Sequence, residues 1–174
     1  MAASGLQIHV RPSTSHDIDA ITEIYSISVR TGFGTFEIDP PDAMEMTARR
    51  NNILQHQLPY LVAESDGVIL GFSYASIYRP RPAYHNTVEN SVYVGPEAQG
   101  KGVGKALLSS LIAECRAVGK KQMVAVIGDS GNRGSISLHR SLGFRLVGIL
   151  EDVGFKHNRW VDTVIMQKNL NIDE

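Results

Sequence analysis

The chain has 174 residues, 43% hydrophobic and 20% charged, with 17 Lys and Arg against 18 Asp and Glu and a formal net charge of −1. That is the length of one domain with a real core, and near-neutrality removes the electrostatic case for nucleic acid or an anionic membrane as partner. A lone cysteine, Cys115, excludes an intrachain disulfide and a multi-cysteine metal site, and no apolar run approaches the roughly 18 residues of a membrane helix.

Residues 1–174 are expected to form a single domain with a loose tail over 1–6. The first residues lack the basic and apolar regions of a signal peptide, so a cytoplasmic location is expected. A short strand is predicted over 8–11, ended by Pro12. Ser13 to Asp17 offer caps for a helix to about residue 30, whose buried face carries Ile18, Ile21, Tyr25 and Val29. Residues 31–41 interrupt the pattern and read either as a substrate lid or as a plain connector. A weaker helix starts after Pro40-Pro41 and ends near Gln57.

Strands over 60–64 and 68–75 are joined by Ser65-Asp66-Gly67, a strong hairpin turn signal. A loop rich in arginine and proline, 78–85, feeds a strand over 88–94 that should pair antiparallel with its predecessor. Gly95-Pro96 breaks that strand, and a helix starts near Val103 and ends around Gly119. The apolar run 123–127 reads as a buried strand. A helix over 132–142 stops at Gly143. Two last strands, 144–153 and 160–167, are joined by a loop over 154–159. The order is β-α-α-β-β-β-α-β-α-β-β. That is an α/β (α+β) architecture with a mixed, mostly antiparallel sheet flanked by helices.

The informative stretch is 88–105. Between its strand and its helix, Gly100, Gly102 and Gly104 alternate with Lys101, Val103 and Lys105. Glycines let backbone N–H groups approach a ligand, and the first N–H groups of a helix lack partners at the positive end of the dipole. Together they make a phosphate-sized anion site. The spacing fits neither a P-loop nor a dinucleotide fingerprint.

Gln99-Gly100-Lys101-Gly102-Val103-Gly104 resembles the Q/R-x-x-G-x-G/A signature of the GCN5-related N-acetyltransferases, the GNAT superfamily. Four other stretches extend the resemblance: Thr87 to Val94, Val124-Ala125-Val126-Ile127, the pattern Asn132-x-x-Ser135-x-x-x-His139-x-x-x-Gly143-Phe144, and Gly154-Phe155-Lys156-His157-Asn158-Arg159-Trp160-x-Asp162. Together they are similar to the branch of phosphinothricin and methionine sulfone or sulfoximine acetyltransferases. The resemblance implies the GNAT fold and acetyl-CoA as co-substrate, with no metal. It implies that Val92, Tyr93 and Val94 hold the pantetheine, that Gln99 to Lys105 hold the pyrophosphate, and that Asn132 and Ser135 contact the CoA arm. Such enzymes are usually dimeric, so a homodimer is expected.

Glu89 lies in an otherwise apolar and neutral strand and reads either as a solvent-facing edge glutamate or, by the resemblance, as the base that deprotonates the amine. His139, where many relatives carry tyrosine, is either a structural hydrogen-bonding residue or an acid or second base. Arg79, Pro80, Arg81 and Tyr84 read as a solvated basic loop or as the binder of an anionic amino-acid analogue. Asn90 and Ser91 border that site, and Phe36 could close over the substrate's apolar stem. Cys115 reads as core, and Trp160 as packing or interface. The substrate class expected from the resemblance is a small-molecule amine, an oxygen-bearing analogue of an α-amino acid. Acceptors such as a polyamine, an aminoglycoside or a protein N-terminus, and a non-catalytic CoA sensor, remain as alternatives.

Overall fold

The computed structural model describes residues 6–171, so the expected tail lies, apart from Leu6, outside the described residues. The main elements are β1 (His9–Pro12), α1 (Ile18–Thr31), α2 (Ala43–Gln55), β2 (Tyr60–Ser65), β3 (Val68–Ile77), β4 (Thr87–Val94), α3 (Val103–Ala117), β5 (Gln122–Gly128), α4 (Arg133–Ser141), β6 (Arg145–Lys156) and β7 (Arg159–Asn169). They occur in the predicted order. Short 3-10 turns at Ser15–Asp17, Pro82–Tyr84 and Pro96–Ala98 join them.

The seven strands form one sheet in the order β1-β2-β3-β4-β5-β7-β6. Every pairing is antiparallel except β4 with β5. Alternation along the strands assigns the helices to opposite faces. Phe72 and Tyr93 are register partners, and both rings pack against Tyr25 of α1. Gly71 and Val94 point the other way, where a Cβ on Gly71 would lie 3.1 Å from Leu107 of α3. The predicted α1 face is buried, as are Leu107, Leu108, Leu111 and Cys115 on α3. Burial pushes the Cys115 thiol up to about 12, so it stays protonated and inert.

The β2–β3 turn is the predicted one, with Asp66 at φ 50° and Gly67 at φ 77°, the twist that suits a two-residue hairpin. The last hairpin differs from expectation. Gly154, Phe155 and Lys156 are strand residues that pair with Val161, Trp160 and Arg159, and the turn is only His157-Asn158. Both turn residues take positive φ, 49° and 59°, which asparagine tolerates and which makes glycine unnecessary. Glycine at 154 had suggested a loop. Its role is close packing, described below.

Arg11 fastens the first strand to the rest. It donates to both carboxylate oxygens of Asp17, at 2.8 and 2.9 Å, and to Glu64 on β2 at 2.8 Å. Asp17 is 5% exposed and also accepts from the Thr14 backbone at the entry to α1. These contacts, with the Arg11 hydrogen bond first, lower its carboxyl from 3.8 to about 2. A depressed carboxyl stabilises the fold above its unfolded pKa, and the benefit fades as pH falls through the folded value, here between 3.8 and about 2. Asp17→Asn should therefore cost on the order of 2 kcal/mol at neutral pH. In urea melts the gap to wild type should narrow steadily as pH falls from about 4 to about 2; a pH-independent gap would disprove the linkage.

Candidate active site

The site begins where two strands part. β4 and β5 are paired from Thr87 and Gln122 to Asn90 and Ala125, and no further. Beyond that point Ser91 to Val94 keep their ladder to β3, while Val126 to Gly128 keep theirs to β7. Strand residues present N–H and C=O alternately to either side, so both strands offer unpaired backbone groups to the opening between them.

A cavity of about 830 Å³ fills this opening and reaches from the starts of α3 and α4 to the end of α1. Asn90, Ser91, Val92, Tyr93, Val94 and Gln99 line it, together with Gly100, Gly102, Gly104 and Lys105. Gly102 caps α3 with φ 86° and no side-chain capping bond, and Ala106 is the first residue to donate back into the helix, to Gly102. The N–H groups of residues 103–105 thus have no helical acceptor, and the dipole adds positive potential. The Val103 side chain is buried in the core, so only its backbone belongs to the cradle, and Lys101 is exposed outside the lining. On the opposite wall Asn132 caps α4 by accepting from the Ser135 N–H at 3.1 Å, and Ser135 and His139 line the cavity with it. A long polar chain ending in phosphates fits this arrangement.

His139 is 3% exposed, and both its ring nitrogens face carbonyl oxygens: Nδ1 the Ser135 backbone at 2.8 Å, Nε2 the Asn90 side chain at 3.0 Å. Asn90 in turn donates to the Val124 carbonyl at 3.2 Å. Burial lowers the His139 pKa, and the bond to Ser135 opposes it only in part. This network sits at the last paired residue of β4, where the strands separate.

On the other face of β4 lies a second cavity of about 550 Å³, lined by Glu89 and Arg79 with Phe36, Val124, Val126 and Thr163 among its walls. β4 is an interior strand, so Glu89 is half-buried rather than an edge residue. Its carboxylate makes no hydrogen bond or ion pair among the described residues. Burial raises its pKa, and the charge of Arg79 only partly offsets this. Arg79 also stacks over Tyr78 at 5.2 Å. Pro80, Arg81 and Tyr84 lie outside both linings; Tyr84 packs edge-on against Tyr78, which lines the second cavity.

Residues 31–38, within the segment expected to be a lid or a connector, are held against the sheet. They form a packed strap over the open end of the site. Phe33 and Gly34 line the first cavity and Phe36 the second. The Phe33 carbonyl rests on Gly128, and the Phe36 ring rests on Gly154, so closely that a Cβ at either glycine would overlap them. Lys156, 3% exposed, donates to the Thr35 carbonyl at 2.8 Å, and the Thr35 hydroxyl meets Tyr25 at 3.1 Å. Arg159 sits 4.1 Å over the Phe33 ring. Thr163 and Ile165 were not singled out in the sequence, because only the strand register brings them to the site. Gly154→Ala should displace Phe36 at a cost of about 1–3 kcal/mol, read as a lower urea midpoint; an unchanged midpoint would show that the ring is not held there.

The comparisons with known proteins agree with this geometry. The model of the Acetyltransferase (GNAT) family matches residues 21–144. The chain is 52% identical over 162 residues to a phosphinothricin N-acetyltransferase of Alcaligenes faecalis, covering 93% of this chain and 82% of that protein. It is 38% identical to an L-methionine sulfoximine/L-methionine sulfone acetyltransferase of Pseudomonas aeruginosa, covering 93% and 94%. Among solved structures, a GNAT superfamily phosphinothricin acetyltransferase from Sinorhizobium meliloti, in complex with AcCoA, is 47% identical, with a TM-score of 0.91 over 93% of this chain and 88% of that one. The split sheet, the glycine cradle and these relatives together place the chain in the GNAT family of acetyltransferases.

Proposed function

We propose that the protein moves the acetyl group of acetyl-CoA to the α-amine of a small amino-acid analogue of the phosphinothricin, methionine sulfone or methionine sulfoximine type. The observation that carries this reading is Glu89: an unpaired, half-buried carboxylate beside Arg79, in an apolar-walled cavity across β4 from the cofactor cavity. Arg79 takes the acceptor's anionic group, and Phe36 covers its apolar stem. Glu89 takes a proton from the ammonium, directly or through water. The nitrogen lone pair then forms the C–N bond, and unpaired N–H groups of Val92 to Val94 hold the pantetheine and polarise the thioester carbonyl. The C–S bond breaks, and the products are the amide, the CoA thiol and one proton. A thiolate whose conjugate acid lies near pKa ~8.5 is readily protonated. His139, with both nitrogens engaged, acts by positioning Asn90 where the strands part.

Acetylation abolishes the charge of the α-amine, which is the logic of detoxifying an amino-acid mimic, including a herbicidal one. The cytoplasm, where acetyl-CoA is made available, is the proposed location. A polyamine or aminoglycoside acceptor would need an acid-rich cleft, whereas this cavity holds a single carboxylate and a guanidinium. A non-catalytic CoA sensor has no use for an unpaired Glu89.

Glu89→Gln should lower kcat by about 10² to 10⁴ and leave the acetyl-CoA Kd unchanged. The acidic limb of the wild-type kcat/KM profile should lie above the usual carboxylate range and disappear in this variant. Retained turnover would remove Glu89 from the chemistry.

We also propose a homodimer built on the last hairpin. β6 is the sheet edge, and Ile149, Val153, Phe155 and Trp160 on this hairpin are 48–62% exposed. An apolar edge of this length is a pairing surface. Phe155→Glu combined with Trp160→Glu should convert a dimer to a monomer in light scattering; a wild-type monomer at micromolar concentration would exclude the assembly.

A further inference from the structure

The floor of the acceptor cavity holds a polar group that neither the base nor the guanidinium accounts for. Thr163 lies on β7, opposite Gly128 of β5 on one side and Leu150 of β6 on the other. Its neighbour Val164 packs into the core, so alternation turns Thr163 and Ile165 to the opposite face, and both line the acceptor cavity. Thr163 is 6% exposed.

Buried hydroxyls are ordinarily hydrogen-bonded. The other buried polar side chains around the site are: Thr35 with Tyr25, Lys156 with the Thr35 carbonyl, and Asn90 with His139 and Val124. Among the described residues the Thr163 hydroxyl has no such partner. It differs from Ser73, whose unpartnered hydroxyl is sealed inside the sheet away from both cavities. The Thr163 hydroxyl opens onto the cavity that Glu89 and Arg79 share. Its apolar surroundings, Val126, Leu150, Val153 and Ile165, offer nothing for it to bond.

Its place relative to Glu89 follows from the register. Glu89 is opposite Val124, and Val124 is opposite Gln167, four residues along β7 from Thr163. Two strand spacings and four residue rises put the two Cα atoms roughly 16 Å apart. Both residues line one cavity on one face of the sheet, so an acceptor lying along that cavity bridges the interval between them. An acceptor with its amine at Glu89 therefore carries its δ atom toward Thr163, beneath Phe36.

We propose that Thr163 donates a hydrogen bond to the oxo group on the δ atom of the acceptor, and that this contact separates oxidised side chains from the parent thioether. The inference rests on the acceptor class proposed above and adds the residue that reads it. A thioether or methylene at that position leaves the hydroxyl buried and unsatisfied, which is what gives a hydrogen-bonding pocket its discrimination.

The test uses the full-length enzyme with acetyl-CoA and follows thiol release. Methionine sulfone, methionine and norleucine serve as acceptors, because they share length and stem. Thr163→Val keeps the shape and removes the hydroxyl, while Thr163→Ser keeps the hydroxyl. The valine variant should lose about tenfold in kcat/KM on the sulfone, chiefly through KM, and keep or gain activity on norleucine, so that the preference collapses. The serine variant should retain the preference. An unchanged sulfone-to-norleucine ratio in Thr163→Val, or an equal loss on all three amines, would overturn the assignment while leaving the acceptor class intact. A wild-type enzyme that acetylates neither these three nor phosphinothricin would instead refute the acceptor class itself, and the role of Thr163 with it.

Discussion

Everything functional here depends on one break in backbone hydrogen bonding, the end of the β4–β5 ladder at Asn90 and Ala125. A sheet normally hides its N–H and C=O groups in its own pairing, and an interior strand has none to spare. Here two neighbouring interior strands each keep an outer partner and release the inner one. The released groups make a polar slot within an otherwise apolar core, and a ligand arm can complete the ladder in place of a strand. Asn90 marks the fork. Its side chain takes up the Val124 carbonyl and faces His139 across the gap, which fixes where pairing stops.

The strap over 31–38 is the second constraint, and it depends on what is missing from two residues. Gly128 and Gly154 have no side chain, so the Phe33 carbonyl and the Phe36 ring can lie directly on the sheet. A buried lysine then holds the strap from below. Burial lowers the Lys156 pKa, and the charge of Glu37 partly restores it. Its bond to the Thr35 carbonyl gives the ammonium the acceptor that a buried donor requires. The strap therefore joins α1 to the last hairpin and forms a wall of both cavities at once.

The parts of the site that lie within one stretch of chain were legible in the sequence. The β4 strand, the glycine turn and the start of α3 are contiguous, and their chemistry follows from local geometry: positive φ at Gly100 and Gly102, and unpaired N–H groups at the helix start. The Asp66-Gly67 turn was equally local. What escaped was set by register. Thr163 and Ile165 read as ordinary strand residues, and only the pairing of β5 with β7 brings them beside Glu89. Gly154 was expected in the loop joining the last strands, whereas it lies in β6 and makes room for Phe36 from a distant segment. The arginine loop was legible in composition but not in placement: Arg79 reaches the acceptor cavity, and Arg81 does not.

Period-two alternation along β4 also separates the two cavities. Glu89 and Asn90 point to opposite faces of the strand, and consecutive residues thus line the smaller and the larger cavity. A closed sheet would keep those cavities apart by its own thickness. Because β4 has lost its inner partner just beyond these residues, the barrier there is a single strand edge. In the proposed reaction, the break that exposes backbone for the cofactor arm would thus also be the passage for the acetyl group. Substitutions that restore β4–β5 pairing past Asn90 would remove both at once, whatever they did to Glu89.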